Sequence, residues 1–545
     1  MSIRKLLTAT SLIAAGIAVA SPSASADSLI VTNLNDTGSG SLRAAIVSAN
    51  SNSDADVITF APSLKGVIAL DTSLEITHSV TLAGPGSTKI RLSGQGSTRV
   101  FEVGGVDNES TISGLTIESG EAMGDGGCML LIDANVVLSD IVIRNCHANG
   151  DGGGIAAYGV DGIGTLSLQN FSIKSNVANS GGGIAVGDGF EVTATDGAIS
   201  NNVAQDGGGV SLWSPQAHTF ERVLFQANSG FSSGAMFVGL MGPGETTTLN
   251  DTTFIGNAAF TNAAIRAEYV STDSGGASLV INNSTILYNV ANNGAGAIGF
   301  SGGAQNSLTM KFSTVMYNQT SGAETGGIYA EGPVAISHSV ISENRGYFGE
   351  EDDDIDVGYL QTLQIDHSLL GEAETSDSTA AVLDQWTAGQ IGTDHRLNLY
   401  AVPGELPIMM PTIDSPVING GETSLVGAPV VDARGLPRLA GTRYDIGAVE
   451  WQAPRAPQSV SSAAGVKSVT VRWSPPLASG DSAITNYRVF RRTASGWVKV
   501  GTTGPRGRSL LIGGLASGRA FTFRVVAINK AGLGEPSRAT TSNVR

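Results

Sequence analysis

One asparagine recurs along this chain at almost constant intervals, and no other feature narrows its folding options as much. It stands at Asn176, Asn202, Asn228, Asn257, Asn289, Asn318 and Asn344, in successive steps of 26, 26, 29, 32, 29 and 26. An apolar residue lies three places before each one: Ile173, Ile199, Phe225, Phe254, Ile286, Val315 and Ile341. Glycine-rich turns follow at Gly181, Gly207, Gly234, Gly294 and Gly326, with two more upstream at Gly126 and Gly152. A fixed period of this length marks a solenoid, in which each unit buries its apolar face only against its neighbours.

The segments inside a unit are short and alternate, as in "TLSLQNFSI" and "FEVTATDGAI", which reads as strand and not helix. About three short strands and their turns use up ~26 residues, so each unit predicts one β-coil. Inward Ile, Val and Phe then form a continuous core. Equivalent asparagines are expected ~4.8 Å apart, close enough to bond amide to amide along the stack. The glycines fall where the backbone reverses between strands, and insertions such as "LMGPGETTT" lengthen a turn without disturbing the stack. The first coil needs a cover, because an open β-edge invites pairing with other chains. In "GSGSLRAAIVSAN" the spacing of Leu42, Ala45, Ile46 and Ala49 predicts a short amphipathic helix that supplies it.

Residues 1–26 read as an export signal. Arg4 and Lys5 precede an apolar run, Leu6 to Ala20, too short to span a bilayer, and Ala24-Ser25-Ala26 gives a small-residue cleavage pattern. Cleavage is expected after Ala26, leaving a secreted chain with no transmembrane segment. Charge divides unevenly over what remains. Residues 27–452 carry a net −31, whereas residues 453–545 hold 14 Lys and Arg against Asp481 and Glu535. Solubility and mutual attraction account for such a split; so does a basic module that holds an acidic body on an anionic surface polymer.

Few residues offer chemistry. Asp125, Asp151 and Asp206 each open a glycine turn at one repeat position, and stacking would set Asp125 and Asp151 about 5 Å apart, near the separation of a retaining glycosidase pair. Ser180 fills the same slot in the intervening coil, which favours a turn role, since Asp at turn starts accepts backbone N–H bonds. Asp352, Asp353, Asp354 and Asp356, in "EEDDDID", offer carboxylate oxygens to Ca²⁺, but without the ligand spacing and glycine of a defined calcium loop. A solvated acidic loop is the plainer expectation, and Ca²⁺ is the one cofactor the sequence admits. Cys128 and Cys146 lie on one coil. Export permits a disulfide; bonded and merely packed thiols both stay open, as does whether Cys146 or Asn145 takes the asparagine slot. The six histidines and two cysteines have no zinc-ligand spacing, and no glycine loop opens a helix to hold a phosphate.

The "GGGI … S-x-x-N" pattern resembles the right-handed parallel β-helix repeats of bacterial surface proteins. "FQAN" (Phe225 to Asn228) and "FIGN" (Phe254 to Asn257) resemble the polymorphic outer-membrane protein repeat, and "GSLRAAIVSAN" is similar to the CSLREA-type start, with Gly40 in place of the cysteine. "SPVINGG", "DARGLPRL" and "DIGAVE" resemble the close of a choice-of-anchor domain. After the linker "APRAPQSV", the segments "SVTVRWSPP" with Trp473 and "ITNYRVFRR" with Tyr487 resemble a fibronectin type III module, although Phe521 stands where the corner tyrosine is usual. "IDHS" (Ile365 to Ser368) resembles the Asp-His segment of pectate lyases, making Asp366 and His367 candidates. His338-Ser339, one repeat step earlier, marks His367 as a repeat position instead.

The resemblances imply an all-β chain: a right-handed parallel β-helix of the pectin-lyase-like type over residues 27–452, then a β-sandwich over 453–545. They imply a non-catalytic role at a cell surface or in extracellular matrix, with carbohydrate or protein partners, an anionic polymer for the basic module, and no nucleic acid. The alternative is a secreted polysaccharide lyase or glycoside hydrolase, which needs carboxylates and a Lys or Arg converging in one groove.

Overall fold

The computed structural model describes residues 28–105, 108–160, 162–240, 244–269, 276–322, 325–346, 354–358, 362–371, 373–375, 382–384, 396–401, 405–412, 415–425, 427–440 and 443–545. The signal segment with Ala26 lies outside them, as do Asp352 and Asp353. The chain is all-β: a solenoid of stacked parallel strands, then a β-sandwich.

A coil is easiest to follow where its strands are longest. Asn135–Arg144 pairs in parallel with Gly164–Lys174, that strand with Phe190–Ser200, and that one with His218–Gln226. Each long strand is bent in the middle by one residue with positive φ: Asp140 (52°), Asn170 (49°), Asp196 (55°) and Arg222 (53°). Asp251, Asn283, Phe312, His338 and His367 continue this column of bends down the stack with φ between 43° and 52°. Asp and Asn tolerate the left-handed region better than other side chains, which suits most of these positions. A second left-handed residue just before the asparagine slot, Ser175 for example (57°), turns the chain again. The remaining wall is a twelve-stranded parallel sheet running from Leu74–Ile76 to Ala373–Thr375.

The asparagines do bond as a ladder. In every step Nδ2 donates to Oδ1 of the next asparagine at 2.8–3.0 Å, and the backbone N–H reaches the same oxygen at 2.9–3.1 Å. The second Nδ2 proton goes back to a carbonyl of the preceding coil, as Asn228 does to Ile199 at 2.8 Å. All seven are fully buried. The triple glycines face another constraint, since a Cβ at Gly182 would lie 2.5 Å from the Gly208 carbonyl and 2.6 Å from that of Val203. Coils pass too closely there for any side chain.

Cys146 occupies the ladder slot above Asn176, whose Oδ1 accepts its N–H at 3.0 Å. Cys146 and Cys128 form a disulfide with Cα atoms 5.5 Å apart. The coil folds back on itself between them, which brings together residues 18 apart in sequence. At the open end, helix Leu42–Ala49 buries Leu42, Ala45, Ile46 and Ala49, and Ser41 caps it by accepting from the Ala44 N–H.

The sandwich has Gln458–Gly465, Ser468–Ser474 and Ser509–Gly513 in one sheet, and Asn486–Thr493, Gly496–Thr503, Ala520–Asn529, Gly532–Pro536 and Thr540–Asn543 in the other. Trp473 and Tyr487 are buried between the sheets with ring centroids 5.6 Å apart.

Candidate functional site: an open groove beside a strap

After the last coils the chain runs back over the column of bends as a strap. Thr253 Oγ1 donates to the Pro407 carbonyl, Asn283 Nδ2 to that of Val431, the Ala448 N–H reaches Thr314 Oγ1, and the Gly447 N–H reaches the His338 carbonyl. Arg438 is its main fastener. Its guanidinium lies 4.2 Å from the Phe312 ring centroid, and Nη2 donates to Asn283 Oδ1 at 2.7 Å and the Ala448 carbonyl at 2.9 Å. The "DIGAVE" and "DARGLPRL" acids complete it: Asp445 accepts the Trp451 N–H at 2.6 Å, Glu450 that of Asp445 at 2.9 Å, and Asp432 pairs with Arg434 at 2.7 Å. Arg434 also reaches Asp481 of the sandwich at 3.1 Å, and Asn529 donates to the Gln452 carbonyl at 2.8 Å, so both domains share this seam.

The strap covers the bends from Asp251 onward and leaves the earlier coils open. Where it stops, a depression of about 850 Å³ opens, with Asp196, Arg222, Asp251, Glu405, Arg434 and Asp481 around it. Phe171 and Met410 supply apolar walls, and Gly197 lies directly under the Phe171 ring. Asn170 and Phe171 also border the next depression, of about 600 Å³, which in turn shares Ser87, Thr88 and Val142 with a third of about 680 Å³. The three form one groove over the outer face of the solenoid.

Two carboxyls near the strap are tuned apart. Arg222 hydrogen-bonds Asp196 at 2.6 Å and holds it below the usual carboxylate range. Asp251, half-buried, is pushed up to about 6 by burial, and Glu221 adds to the rise. Stacking puts these two acids two coils apart, about 10 Å between Cα atoms. Sequence reasoning missed this group because three of its members are bend residues and the others come from the strap and the sandwich. A second periodic series, Asp140, Asn170, Asp196, Asp251 and Asn283, was the available signal.

The acids singled out from sequence lie elsewhere. Asp125 Oδ1 accepts the Asp151 N–H at 2.8 Å, and Ser180 bridges in register with Asp206, so this column joins one glycine turn to the next. Burial, then the Asp125 charge, raises the Asp151 carboxyl above its ordinary range. Asp354 ends the asparagine ladder, and Asp356 is a strand residue paired with Tyr329. His367 stacks on His338 in the bend column, ring centroids 5.2 Å apart. Asp366, His367 and Glu422 bring one donor atom each within 4.8 Å of one another, a set able to hold a divalent cation. His367 Nδ1 lies 2.6 Å from Asp366 and 3.9 Å from Glu422, contacts that an imidazole between carboxylates makes without an ion.

Residues 445–543 match the fibronectin type III domain family. The chain is 38% identical over 72 residues to Myomesin-2 of Homo sapiens, covering 13% of this chain and 5% of that protein. It is 30% identical over 95 residues to Protein turtle of Drosophila melanogaster, covering 17% and 6%. This chain therefore spans only a small part of the relatives it matches. A solved structure of titin kinase and its flanking domains is 30% identical over 17% of each chain, with a TM-score of 0.16. The molecule thus joins a β-solenoid to a C-terminal fibronectin type III module. Among the described residues no helix is long and apolar enough to cross a membrane.

Proposed function

We propose that this is an exported, non-catalytic protein of a cell surface or extracellular matrix that binds carbohydrate or protein along its solenoid. In this reading residues 1–26 are removed after Ala26, residues 27–452 form a right-handed β-helix of the choice-of-anchor and polymorphic outer-membrane-protein type, and the basic module at 453–545 retains or spaces it on an anionic polymer. The observation that carries the reading is the long open groove, built from stacked positions of successive coils. Modules of the fibronectin type mediate binding, which agrees with it. The test is a screen of the purified chain for binding and for cleavage across acidic and neutral polysaccharides, with and without Ca²⁺. Retention without new reducing ends or unsaturated products is expected; cleavage would overturn it.

One observation favours a second reading, a glycoside hydrolase. Asp196 and Asp251 flank the groove two coils apart with their acidities pushed apart, as an acid and base pair requires. If the screen finds hydrolysis, Asp251→Asn should abolish it.

A further inference from the structure

The groove changes character away from the strap. Its far depression is bordered by Lys65, Lys89, Arg91, Arg144 and Lys174, and among the described residues no carboxylate borders it. These five are a third of the 15 Lys and Arg in residues 27–452, a region whose net charge is −31. They fall at fixed register positions as two stacked pairs, four residues apart along the strands, with Arg91 between them. Arg144 pairs directly with Lys174, and Lys65 and Lys89 each stand one place before the paired residues Gly66 and Ile90. Like charges one strand apart, at ~4.8 Å, repel and cost stability. Glu118 relieves only part of this, bonding Arg144 at 2.6 Å and Arg91 at 3.6 Å. Among the described residues no ion pair joins Lys65, Lys89 or Lys174.

We infer that this basic strip binds a linear acidic polysaccharide laid obliquely across the coils, its uronate carboxylates meeting the two stacked pairs of cations. The inference rests on the binding reading above and names its ligand. Four inter-coil steps, ~19 Å along the stack, and four residues along the strand, ~13 Å, separate Lys65 from Lys174, too far for one small anion and suited to several sugars in a row. Arg144 spends its Nε and Nη2 on Glu118 and keeps Nη1 for a ligand carboxylate, Arg91 shares the same glutamate, and the lysines offer point charges. Ser87, Thr88 and Thr116 in the same wall suit sugar hydroxyls. Among the described residues the wall contains no aromatic ring on which bases could stack, so a single-stranded nucleic acid fits it less well. This site lies on the body of the solenoid, separate from the retention on an anionic polymer proposed for the basic C-terminal module.

The experiment uses the full chain and a size-defined oligogalacturonate, its fully methyl-esterified counterpart, and an oligonucleotide of equal charge. Binding of the oligogalacturonate should weaken steeply with salt. The pair Arg144→Gln with Lys174→Gln, and separately Lys65→Gln with Lys89→Gln, should each raise Kd at least tenfold, while Arg492→Gln with Lys499→Gln in the sandwich leaves it unchanged. The uncharged ester should not bind. Lys174→Gln alone should also raise the melting temperature, which a merely structural lysine would not do. Unchanged affinity in both strip pairs, equal binding of the ester, or tighter binding of the oligonucleotide overturns the proposal. Loss only in the sandwich variant overturns it while leaving the binding reading in place. Cleavage of the oligomer with strip-dependent affinity does the reverse.

Discussion

The Nδ2 amide of Asn344 donates to Asp354 Oδ1 at 2.7 Å, and the same oxygen takes the Asn344 N–H at 3.0 Å. The asparagine ladder therefore ends on a carboxylate that copies the amide oxygen of a further rung. Asp354→Ala leaves two buried donors unpaired and should cost about 3 kcal/mol. Asp354→Asn keeps the acceptor and should cost much less. Thermal unfolding of the two variants beside the parent checks this, and equal melting temperatures would mean the last rung adds nothing to stability.

The Cys128–Cys146 disulfide closes a span of 18 residues within one coil. Loop-closure entropy for that length is worth about 3 kcal/mol. A Cys128→Ala, Cys146→Ala chain should melt lower by a matching amount, and reductant should lower the parent but not the double variant. A melt indifferent to reductant counts against a bond in solution.

Acid stability has two opposed sources. Burial depresses His218 and His338 to about 4, and both are held neutral, His338 Nε2 by accepting the Glu422 N–H at 3.2 Å. The unfolded chain binds these protons first, so stability falls as pH drops from about 6.5 toward 4. Asp251, raised to about 6, acts in reverse: its protonation adds stability as pH falls from about 6 to about 4. Melting temperature followed over this range should decline overall, flatten in His218→Gln, and decline more steeply in Asp251→Asn. A profile unmoved by either substitution would falsify the assignment.

The repeat was legible because the ladder asparagine cannot be replaced cheaply. Its amide satisfies a neighbour's amide and backbone together, so its identity persists although the steps between rungs differ in length. The helix over Leu42–Ala49 and the buried Trp473 were legible for similar reasons, spacing in one case and turn-bounded strands in the other. The bend column was not. Once strands on both sides fix its geometry, Arg222, Phe312 and His338 are held in it as well as Asp or Asn, and composition stops reporting the conformation. The groove stayed hidden for another reason: its walls come from stacked positions a whole repeat apart in sequence and from a strap that returns far along the chain.

Arg438 gives the strap a testable weak point. Arg438→Lys keeps a charge but loses the fork that spans Asn283 and Ala448. Limited proteolysis followed by mass spectrometry should find the first cuts of that variant between residues 427 and 451, with the coils still intact. First cuts at the same places as in the parent would show the strap to be held by its acids alone.

The same strap bears on how such a chain can grow. A whole repeat unit copied in between Asn202 and Asn228 would meet neighbours already shaped for it on both sides, and would lengthen the open groove by one strand spacing. Beneath the strap that freedom is gone. Thr253, Asn283, Thr314 and His338 each meet their own point on the returning segment, so one extra coil there would throw every later fastening out of step. Duplication can extend the molecule at one end only, and that is the end that carries the cations.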